Sequence, residues 1–301
     1  MRILCIGEIL WDVIGAAEHL GGAPLNFAAH AQKLGHEVYP LSAVGNDERG
    51  HRALERLRQR GISTDFVRVL PDKPTGTAEV ELDLDGKPTF VIVRPAAYDF
   101  IDLTEADLRK LRKLQPEWIS CGTLYHTSGQ ALASTMKLLE ALPEAKRFYD
   151  VNLRQDNWNL NAIEQLSSQA TAVKLNDSEA ECLDASFDAD AGIDAVEGFC
   201  RRWVDRFHCE MVCVTCGERG CAMLKDDEFT KEPGFHIEVA DTVGAGDAFS
   251  AAFVHGLSRR WSAQEIGRFA NAVGAVVATK PGAIPEWSVD EVWALMRVQK
   301  A

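Results

Sequence analysis

The stretch from Ile3 to Val44, ILCIGEILWDVIGAAEHLGGAPLNFAAHAQKLGHEVYPLSAV, contains one complete strand–helix–strand pattern. The short apolar run Ile3–Gly7 predicts a buried strand. Apolar residues at helical spacing over Pro24–Leu34 predict a helix that ends at Gly35. The run Val38–Val44 predicts a second strand. Because strands joined through a helix pair in parallel, this stretch predicts an α/β fold.

The same alternation continues along the chain. We expect a helix over Glu48–Arg60, and further strands, each followed by a helical pattern, at Trp118–Cys121, Arg147–Val151, Ala172–Leu175 and Met211–Thr215. The last third of the chain is predicted to be mostly helical, over Ala245–Leu257, Ala263–Thr279 and Val289–Val298. This pattern predicts a doubly wound, mostly parallel sheet with helices on both faces. A chain of 301 residues is expected to form a single domain of this kind over residues 1–301.

One region breaks this alternation. Residues 75–93, TGTAEVELDLDGKPTFVIV, place Val80, Leu82 and Leu84 between polar residues and contain a turn signal at Asp85-Gly86. These features predict a β-hairpin. An insertion at this position is either a surface decoration or a lid over a site at the sheet edge.

The composition excludes several classes of function. Hydrophobic residues make up 46% of the chain and charged residues 26%, which excludes a wholly disordered protein. The formal net charge of −13 repels nucleic acid and anionic membranes, and no apolar run reaches the roughly 20 residues that span a bilayer. Glu8 and Asp12 interrupt the N-terminal apolar stretch, so it is not expected to be a signal peptide. We therefore expect a cytoplasmic protein that binds neither nucleic acid nor membrane.

The eight cysteines are expected to be free thiols in a reducing compartment. Four of them lie close together at Cys209, Cys213, Cys216 and Cys221, and Cys213-Val-Thr-Cys216 has C-x-x-C spacing that suits zinc or redox chemistry. However, Met211–Thr215 is typical of a buried strand, in which cysteine acts as a small hydrophobic residue. Alternation would send Cys213 and Cys216 to opposite faces, so we favour a role in the core over a metal site.

Residues 241–249, DTVGAGDAF, carry the strongest chemical signal. The sequence has no G-x-x-x-x-G-K-[ST] loop, and Phe249 occupies the third glycine position of a dinucleotide fingerprint, so neither of those nucleotide sites is expected. Gly244-Ala245-Gly246 instead leads into a helix, whose first N–H groups and positive dipole end suit a phosphoryl group. Asp247 in the first turn is then either a general base for an attacking hydroxyl or a helix cap.

Two separated motifs resemble the signatures of the ribokinase-like, or pfkB, carbohydrate kinases. DTVGAGDAF resembles the C-terminal signature, and Gly21-Gly22-Ala-Pro-Leu-Asn26, followed by Val44-Gly45-Asn-Asp47-Glu-Arg-Gly50, resembles the N-terminal one. The resemblance covers essentially the whole chain and implies a small β lid formed from about residues 12–20 and 75–98. It also implies ATP as phosphoryl donor, Mg²⁺ as cofactor, a small-molecule alcohol as acceptor, and a monomer or homodimer. Asp247 would be the base, beside an anion hole formed by residues 244–246.

Further residues match nucleotide and magnesium positions of that family. The resemblance assigns Mg²⁺, held through water, to Glu179 in Asn176-Asp-Ser-Glu179, a pattern that also forms an ordinary helix capping box. Lys174 would offset phosphate charge, or lie solvated at a strand end. Asn271 matches the asparagine of the adenine pocket, which agrees with the need of a buried helical asparagine for a polar partner. Three residues match the nucleotide loop, although its glycines also suit a hairpin turn: Thr215, Gly217 and Gly220.

The resemblance also implies a monovalent cation, commonly K⁺, beside the anion hole. Asp241 and the backbone of Val243 would supply oxygen ligands, and the loop that contains Gly282 would close the site. Oxygen ligands suit a hard ion. An aspartate that opens a loop is equally a good turn cap.

The expected acceptor is a small sugar. The resemblance assigns sugar contacts to Asp12, Gly21, Gly22 and Asn26. Arg94, and Arg154 in Asp150-Val-Asn152-Leu-Arg154, resemble arginines of fructokinases and 2-keto-3-deoxygluconate kinases. They would donate hydrogen bonds to a neutral hexose or pair with the carboxylate of an acidic sugar.

We therefore expect an ATP-dependent sugar kinase that converts D-fructose to fructose 6-phosphate. The nearest alternative keeps the chemistry and takes 2-keto-3-deoxygluconate as acceptor. An alternative of a different class is a non-catalytic protein of the same fold that binds sugar or nucleotide. A glutamate typical of ribose-specific members is missing near Ser120–Thr123, which disfavours ribose.

Overall fold

The computed structural model describes residues 1–82, 88–155, 157–184 and 193–299. The predicted hairpin turn at Asp85-Gly86 lies outside the described residues. Within the described ranges, no helix is long and apolar enough to cross a membrane.

Strands and helices alternate over most of the chain. The strands are β1 (Arg2–Ile6), β2 (Leu10–Ile14), β3 (Ala17–Gly21), β4 (Glu37–Gly45), β5 (Val67–Leu70), β6 (Gly76–Leu82), β7 (Pro88–Val93), β8 (Trp118–Gly122), β9 (Lys146–Asp150), β10 (Ala172–Asn176), β11 (Met211–Thr215), β12 (Cys221–Lys225) and β13 (Glu228–Glu232). The helices are α1 (Ala23–Lys33), α2 (Glu48–Gln59), α3 (Glu105–Leu114), α4 (Gly129–Ala141), α5 (Leu160–Gln169), α6 (Asp177–Leu183), α7 (Ile193–Phe207), α8 (Ala245–Ser258), α9 (Ala263–Ala278) and α10 (Val289–Val298).

A nine-stranded sheet forms the centre of the protein, in the order β13-β12-β11-β10-β9-β8-β1-β4-β5. The strands from β11 to β5 pair in parallel, whereas β12 and β13 add antiparallel to one edge. This topology confirms the predicted mostly parallel sheet. The expected helix directly after Met211–Thr215 is wrong, because the chain turns back there as β12. Gly217 and Gly220, with φ of 56° and 94°, permit that tight turn.

Both faces of the large sheet are covered, because alternate strand residues point to opposite sides. In β1, Leu4 and Ile6 pack with apolar residues of α3, α4, α5 and α7. Ile3 and Cys5 pack on the other face with residues of α1, α2, α8 and α9. Burial on two faces explains why the strand reads as a continuous apolar run.

The C-x-x-C pair lies on opposite faces of the sheet, as the alternation predicts. Cys213 belongs to the core beneath α8 and α9, and Cys216 packs against the core of the other face. All eight cysteines are free thiols. In the part of the chain that the structure describes, no three His, Cys, Asp or Glu side chains cluster closely enough to hold a metal ion.

A second, smaller sheet has the strand order β3-β2-β6-β7. Strand β2 pairs antiparallel with β3 and parallel with β6, so segments distant in sequence build it together. These are the segments expected to form the lid, and closure of this sheet over a site stays a prediction. Because only residues 7–9 separate β2 from β1, the small sheet starts at the carboxyl edge of the large one. Open α/β sheets bind their ligands at that edge.

Candidate active site

The glycine-rich turn opens α8 and leaves backbone donors available. Ala245 is already engaged, since its N–H donates to the carbonyl of Thr242 at 3.2 Å. The N–H groups of Gly246 and Asp247 have no backbone acceptor among the described residues, as expected for the first turn of a helix. The N–H group of Gly246, which belongs to the predicted anion hole, and that of Asp247 beside it are therefore available to bind a phosphoryl oxygen.

A loop behind this turn holds Gly244 in place. Gly244 has a φ of 78°, and a Cβ there would lie 2.2 Å from the carbonyl oxygen of Ala283. His30 Nε2 donates to that same oxygen at 3.0 Å, while its Nδ1 accepts from Trp287 Nε1 at 3.0 Å. Burial lowers the pKa of His30 to about 4, so the ring is neutral. Sequence reasoning missed His30, which lies on the helix that also carries Asn26.

Asp247 presents a buried carboxylate beside the free donors, with only 8% of the residue exposed. Asn26 Nδ2 donates to its Oδ2 at 2.8 Å. Burial raises the pKa of Asp247 to about 6, aided by the charge of Asp150, while the Asn26 bond and the charges of Arg154 and Lys174 act against the rise. A carboxylate of this pKa is mostly ionised at neutral pH and still accepts a proton well, which suits a general base.

The positive charge of one arginine acts on three carboxyl groups. The charge of Arg154, which follows β9, lowers the pKa of Glu8, Asp12 and Asp247. Burial is the larger effect on all three and raises the pKa of Glu8 to about 7. No hydrogen bond or ion pair with another described residue engages the Arg154 guanidinium. The structure thus brings Asp12, Arg154 and Asp247 together and adds Glu8, which sequence reasoning missed.

The Glu8 side chain caps the start of α1, although Glu8 precedes that helix in the sequence. Its Oε1 accepts from the N–H of Ala23 at 3.2 Å, at a helix end where Gly22 offers no capping side chain. A Cβ on Gly22 would lie 2.4 Å from the Glu8 carbonyl oxygen, and one on Gly21 would lie 2.6 Å from Asp12 Oδ2. The paired glycines therefore make room for two acids. The available signal was an acid directly after the glycine that ends a buried parallel strand.

Arg94 is held by Asp99 of its own segment and by Leu124 and Thr127, which follow β8. Its guanidinium forms an ion pair with Asp99 and a hydrogen bond with the hydroxyl of Thr127. Nη1 also donates to the carbonyl of Leu124 at 3.1 Å, and Nε donates to Asp99 Oδ2 at 3.2 Å. Because these contacts use most of its donors, the role of Arg94 at the sugar stays a prediction.

Lys174 is buried beneath the first turn of α8, which excludes a solvated strand end. Its Nζ donates to Asp150 Oδ1 at 3.0 Å and lies 3.3 Å from Oδ2. The same atom lies 3.8 Å from the position that a Cβ on Gly246 would take. Burial favours the neutral amine, but the charges of Asp150 and Glu179 outweigh burial and raise its pKa. A cation therefore lies under the predicted anion hole.

The Asn176–Glu179 pair forms a capping box at the start of α6. Asn176 Oδ1 accepts from the N–H of Glu179 at 2.8 Å, and the two Glu179 oxygens accept from the N–H groups of Asn176 and Leu153, both at 2.8 Å. Each oxygen keeps a lone pair for water. Magnesium commonly uses one or two carboxylates together with water and substrate phosphates, so these residues fit an ion held through water.

Asn271 finds its polar partners inside the protein. Its Nδ2 donates to the carbonyls of Glu232 and Pro233, both at 3.1 Å. The protein itself therefore supplies the polar partner that a buried helical asparagine needs, and the place of Asn271 in an adenine pocket stays a prediction. Gly220 also has a structural reason, because a Cβ there would lie 2.1 Å from the Glu232 carbonyl. Thr215 ends β11 beside that turn, and its nucleotide contact stays a prediction.

The three residues assigned to a monovalent cation do lie together. Asp241 Oδ1 accepts from the N–H of Val243 at 3.0 Å, and Oδ2 accepts from the N–H of Gly282 at 2.8 Å. The arrangement is that of a capped turn. The carboxylate oxygens keep lone pairs for a hard ion, and its binding stays a prediction.

Comparison with known proteins points to one family. Residues 2–289 match the family described as pfkB family carbohydrate kinase. Fructokinase-1 from Oryza sativa subsp. japonica is 31% identical over 297 residues, which cover 92% of this chain and 88% of that protein.

Solved structures share the fold at lower identity. A 2-dehydro-3-deoxygluconokinase from Thermotoga maritima superposes with a TM-score of 0.86 at 19% identity and covers 99% of both chains. A candidate ribokinase II from E. coli, in complex with ATP and Mg²⁺, superposes with a TM-score of 0.84 at 20% identity, also over 99% of both chains.

Proposed function

The chain belongs to the pfkB family of carbohydrate kinases, and on that premise we propose that its acceptor is a small neutral sugar. The specific proposal is transfer of the γ-phosphoryl group of ATP to the primary hydroxyl of D-fructose, giving fructose 6-phosphate. The 31% identical fructokinase of rice supports this choice. The observation that carries it is the charge of the candidate sugar site.

Acids outnumber cations around the bound sugar in this proposal. The charge of Arg154 acts on Glu8, Asp12 and Asp247, whereas Lys174, which also acts on Asp247, is already paired with Asp150. An acidic sugar would bring a further negative charge into this site, whereas the hydroxyls of a neutral sugar can donate hydrogen bonds to carboxylates. Since Asp99 already pairs with Arg94, a second arginine is not available to balance a substrate carboxylate. The site therefore favours a neutral hexose.

Asp247 acts as the general base in this mechanism. Asn26 donates to Oδ2, which leaves Oδ1 to accept from the acceptor hydroxyl. The hydroxyl proton moves to Oδ1 as the sugar oxygen forms its bond to the γ-phosphorus. The bond between that phosphorus and the bridging oxygen of ATP breaks, and ADP leaves.

The first turn of α8 holds the transferred group. The N–H groups of Gly246 and Asp247 donate to its oxygens, and the helix dipole adds positive potential. Lys174 contributes a buried positive charge beneath them. Magnesium, held through water by Asn176 and Glu179, would neutralise the remaining phosphate charge.

The second candidate acceptor is 2-keto-3-deoxygluconate. It is favoured by the Arg154 guanidinium, which no other described residue engages and which could pair with a carboxylate in a bidentate manner. The T. maritima protein with the same fold is named for this class of substrate.

A comparison of sugars tests the proposal. Release of ADP from Mg-ATP, with and without K⁺, is measured with fructose, 2-keto-3-deoxygluconate, ribose and glucose. Fructose should have the highest kcat/KM, and Arg154→Gln should raise its KM by about tenfold, as expected for loss of one charged hydrogen bond. Preference for the keto-acid, with turnover abolished in Arg154→Gln, would replace fructose by the acidic sugar.

Substitution of the base tests the mechanism. Asp247→Asn should lower kcat by roughly 10³-fold while sugar affinity changes little, since the amide keeps the shape but accepts no proton. The control is Asp205→Asn on the exposed face of α7, which should leave kcat unchanged. If the wild type binds sugar and nucleotide but releases no ADP with any sugar, the chain is a binding protein.

A further inference from the structure

A buried junction joins three elements beneath the anion-binding turn. Asp150 ends β9, Lys174 lies on β10, and Ser250 lies on α8. Asp150 accepts from Lys174 Nζ at 3.0 Å through Oδ1 and from Ser250 Oγ at 2.6 Å through Oδ2. All three residues are at most 8% exposed. Sequence reasoning assigned no role to Asp150 or Ser250.

Ser250 connects this junction directly to the first turn of α8. Its Oγ lies 2.9 Å from the carbonyl oxygen of Gly246, four residues earlier, as well as 2.6 Å from Asp150 Oδ2. The hydroxyl has one proton to share between these two acceptors. The backbone of Gly246 is thus linked to the end of β9 through a single side chain.

The junction is not explained by stability alone. A buried ion pair costs desolvation that often cancels its attraction, and apolar residues of similar size usually serve a core at least as well. This pair lies at the carboxyl edge of the sheet, with Lys174 Nζ 3.8 Å from the Cβ position of Gly246. A small shift of this ion pair would therefore also move the anion-binding turn at the start of α8.

We propose that Asp150 is a positioning residue for phosphoryl transfer. Through Lys174 and Ser250 it fixes the first turn of α8 against β10, so that Gly246 and Asp247 lie where the transferred phosphoryl group needs them. The proposal rests on the proposed kinase function. It concerns the placement of reacting groups, to which transfer rates are steeply sensitive.

Two variants test the Ser250 link and the Lys174–Asp150 ion pair separately. Ser250→Ala removes the link to Gly246 and keeps the ion pair. Asp150→Asn keeps the shape and removes the charge that holds Lys174. With the sugar that the wild type phosphorylates best, we expect kcat to fall about tenfold in Ser250→Ala and about 100-fold in Asp150→Asn, with the KM for sugar within about twofold.

The matched control is Ser167→Ala on α5. Ser167 is also a fully buried helical serine, and its hydroxyl has no partner among the described residues. Ser167→Ala should keep the wild-type kcat. If Asp150→Asn fails to fold, Ser250→Ala still decides the question. A folded Ser250→Ala with kcat within twofold of wild type would overturn the proposal.

Nucleotide binding distinguishes failure of this proposal from failure of the proposed function. Affinities for Mg-AMP-PNP and for AMP are measured by calorimetry, which needs no sugar turnover. Ser250→Ala should weaken binding of Mg-AMP-PNP about fivefold and leave AMP binding unchanged, because only the terminal phosphates reach the turn. Equal affinities in wild type and variant refute the junction's role, whereas a wild type inactive on every sugar refutes the proposed function alone.

Discussion

Removal of the Asn26 amide should move the acid limb of the pH–rate profile to higher pH. Asn26 Nδ2 donates to Asp247 Oδ2 at 2.8 Å in a buried setting, and a hydrogen bond to an ionised group stabilises that form by about 1.5–3 kcal/mol. One pKa unit corresponds to 1.36 kcal/mol. Because water can fill part of the vacated space, we expect Asn26→Ala to raise the pKa of Asp247 by about 1 unit, from about 6 to about 7.

The sign follows from the role of the base. Asp247 must be ionised to accept the hydroxyl proton, so the rate falls as the pH drops through its pKa. At pH 6, kcat/KM should be about half its plateau value in the wild type and about a tenth of it in Asn26→Ala. Loss of a sugar contact also lowers the plateau value of kcat/KM. The test therefore compares the pH at which kcat/KM falls to half its plateau, and not the plateau value itself.

The assay measures kcat/KM for the sugar at saturating Mg-ATP, between about pH 5 and 9, by coupled ADP release. The control is Asn161→Ala, the same substitution on α5, where the side chain's one hydrogen bond among the described residues is with the exposed Gln165. Its profile should match that of the wild type. An acid limb that stays in place in a folded Asn26→Ala would refute the assignment of Asp247 as the titrating base.

Two further predictions concern stability. Burial holds the pKa of Glu8 at about 7, above its unfolded value of about 4.5, so the stability contributed by its protonated form is complete below pH 4.5 and lost as the pH rises through 7. Glu8→Gln, which keeps an acceptor for Ala23, should therefore be more stable than wild type by up to about 3 kcal/mol at pH 8 but not at pH 4; an equal Tm difference at both pH values would contradict this. Gly244→Ala should lower the free energy of unfolding by more than about 2 kcal/mol and abolish turnover, since it adds a clash with Ala283 to an unfavourable φ. Urea denaturation measures the loss against Gly35→Ala, which has φ of 85° and open space around its Cβ position; equal losses in the two variants would exclude the clash.

The order of most elements could be predicted because their signals are local. The helix predicted over Pro24–Leu34 is α1, Ala23–Lys33, and the strand predicted over Val38–Val44 lies within β4, Glu37–Gly45. Glycines and apolar periodicity mark such ends within a few residues. The run after β11 could not be assigned in this way, because CAMLK at 221–225 shows no alternation that separates a strand from a buried helix.

The candidate site could be predicted only in part. Asp247 and the glycines before it stand together in the sequence, so their chemistry was visible at once. Asp150 and Ser250 are 100 residues apart and meet at 2.6 Å only after β9 and α8 have packed. The partner that satisfies Asn271 lies 39 residues away, at the end of β13. No local sequence pattern predicts contacts between residues that lie so far apart in the chain.

The sequence alone determined the α/β class, the family resemblance, the anion-binding turn and the acid beside it, because each rests on neighbouring residues and their periodicity. Only the tertiary structure decided that Asp99 holds Arg94 while the Arg154 guanidinium stays unpaired within the described chain. It also decided that burial raises the pKa of Asp247 to about 6 and that of Glu8 to about 7. The physical reason is that desolvation and charge pairing depend on groups brought together from distant parts of the chain, and not on the residues beside them in sequence.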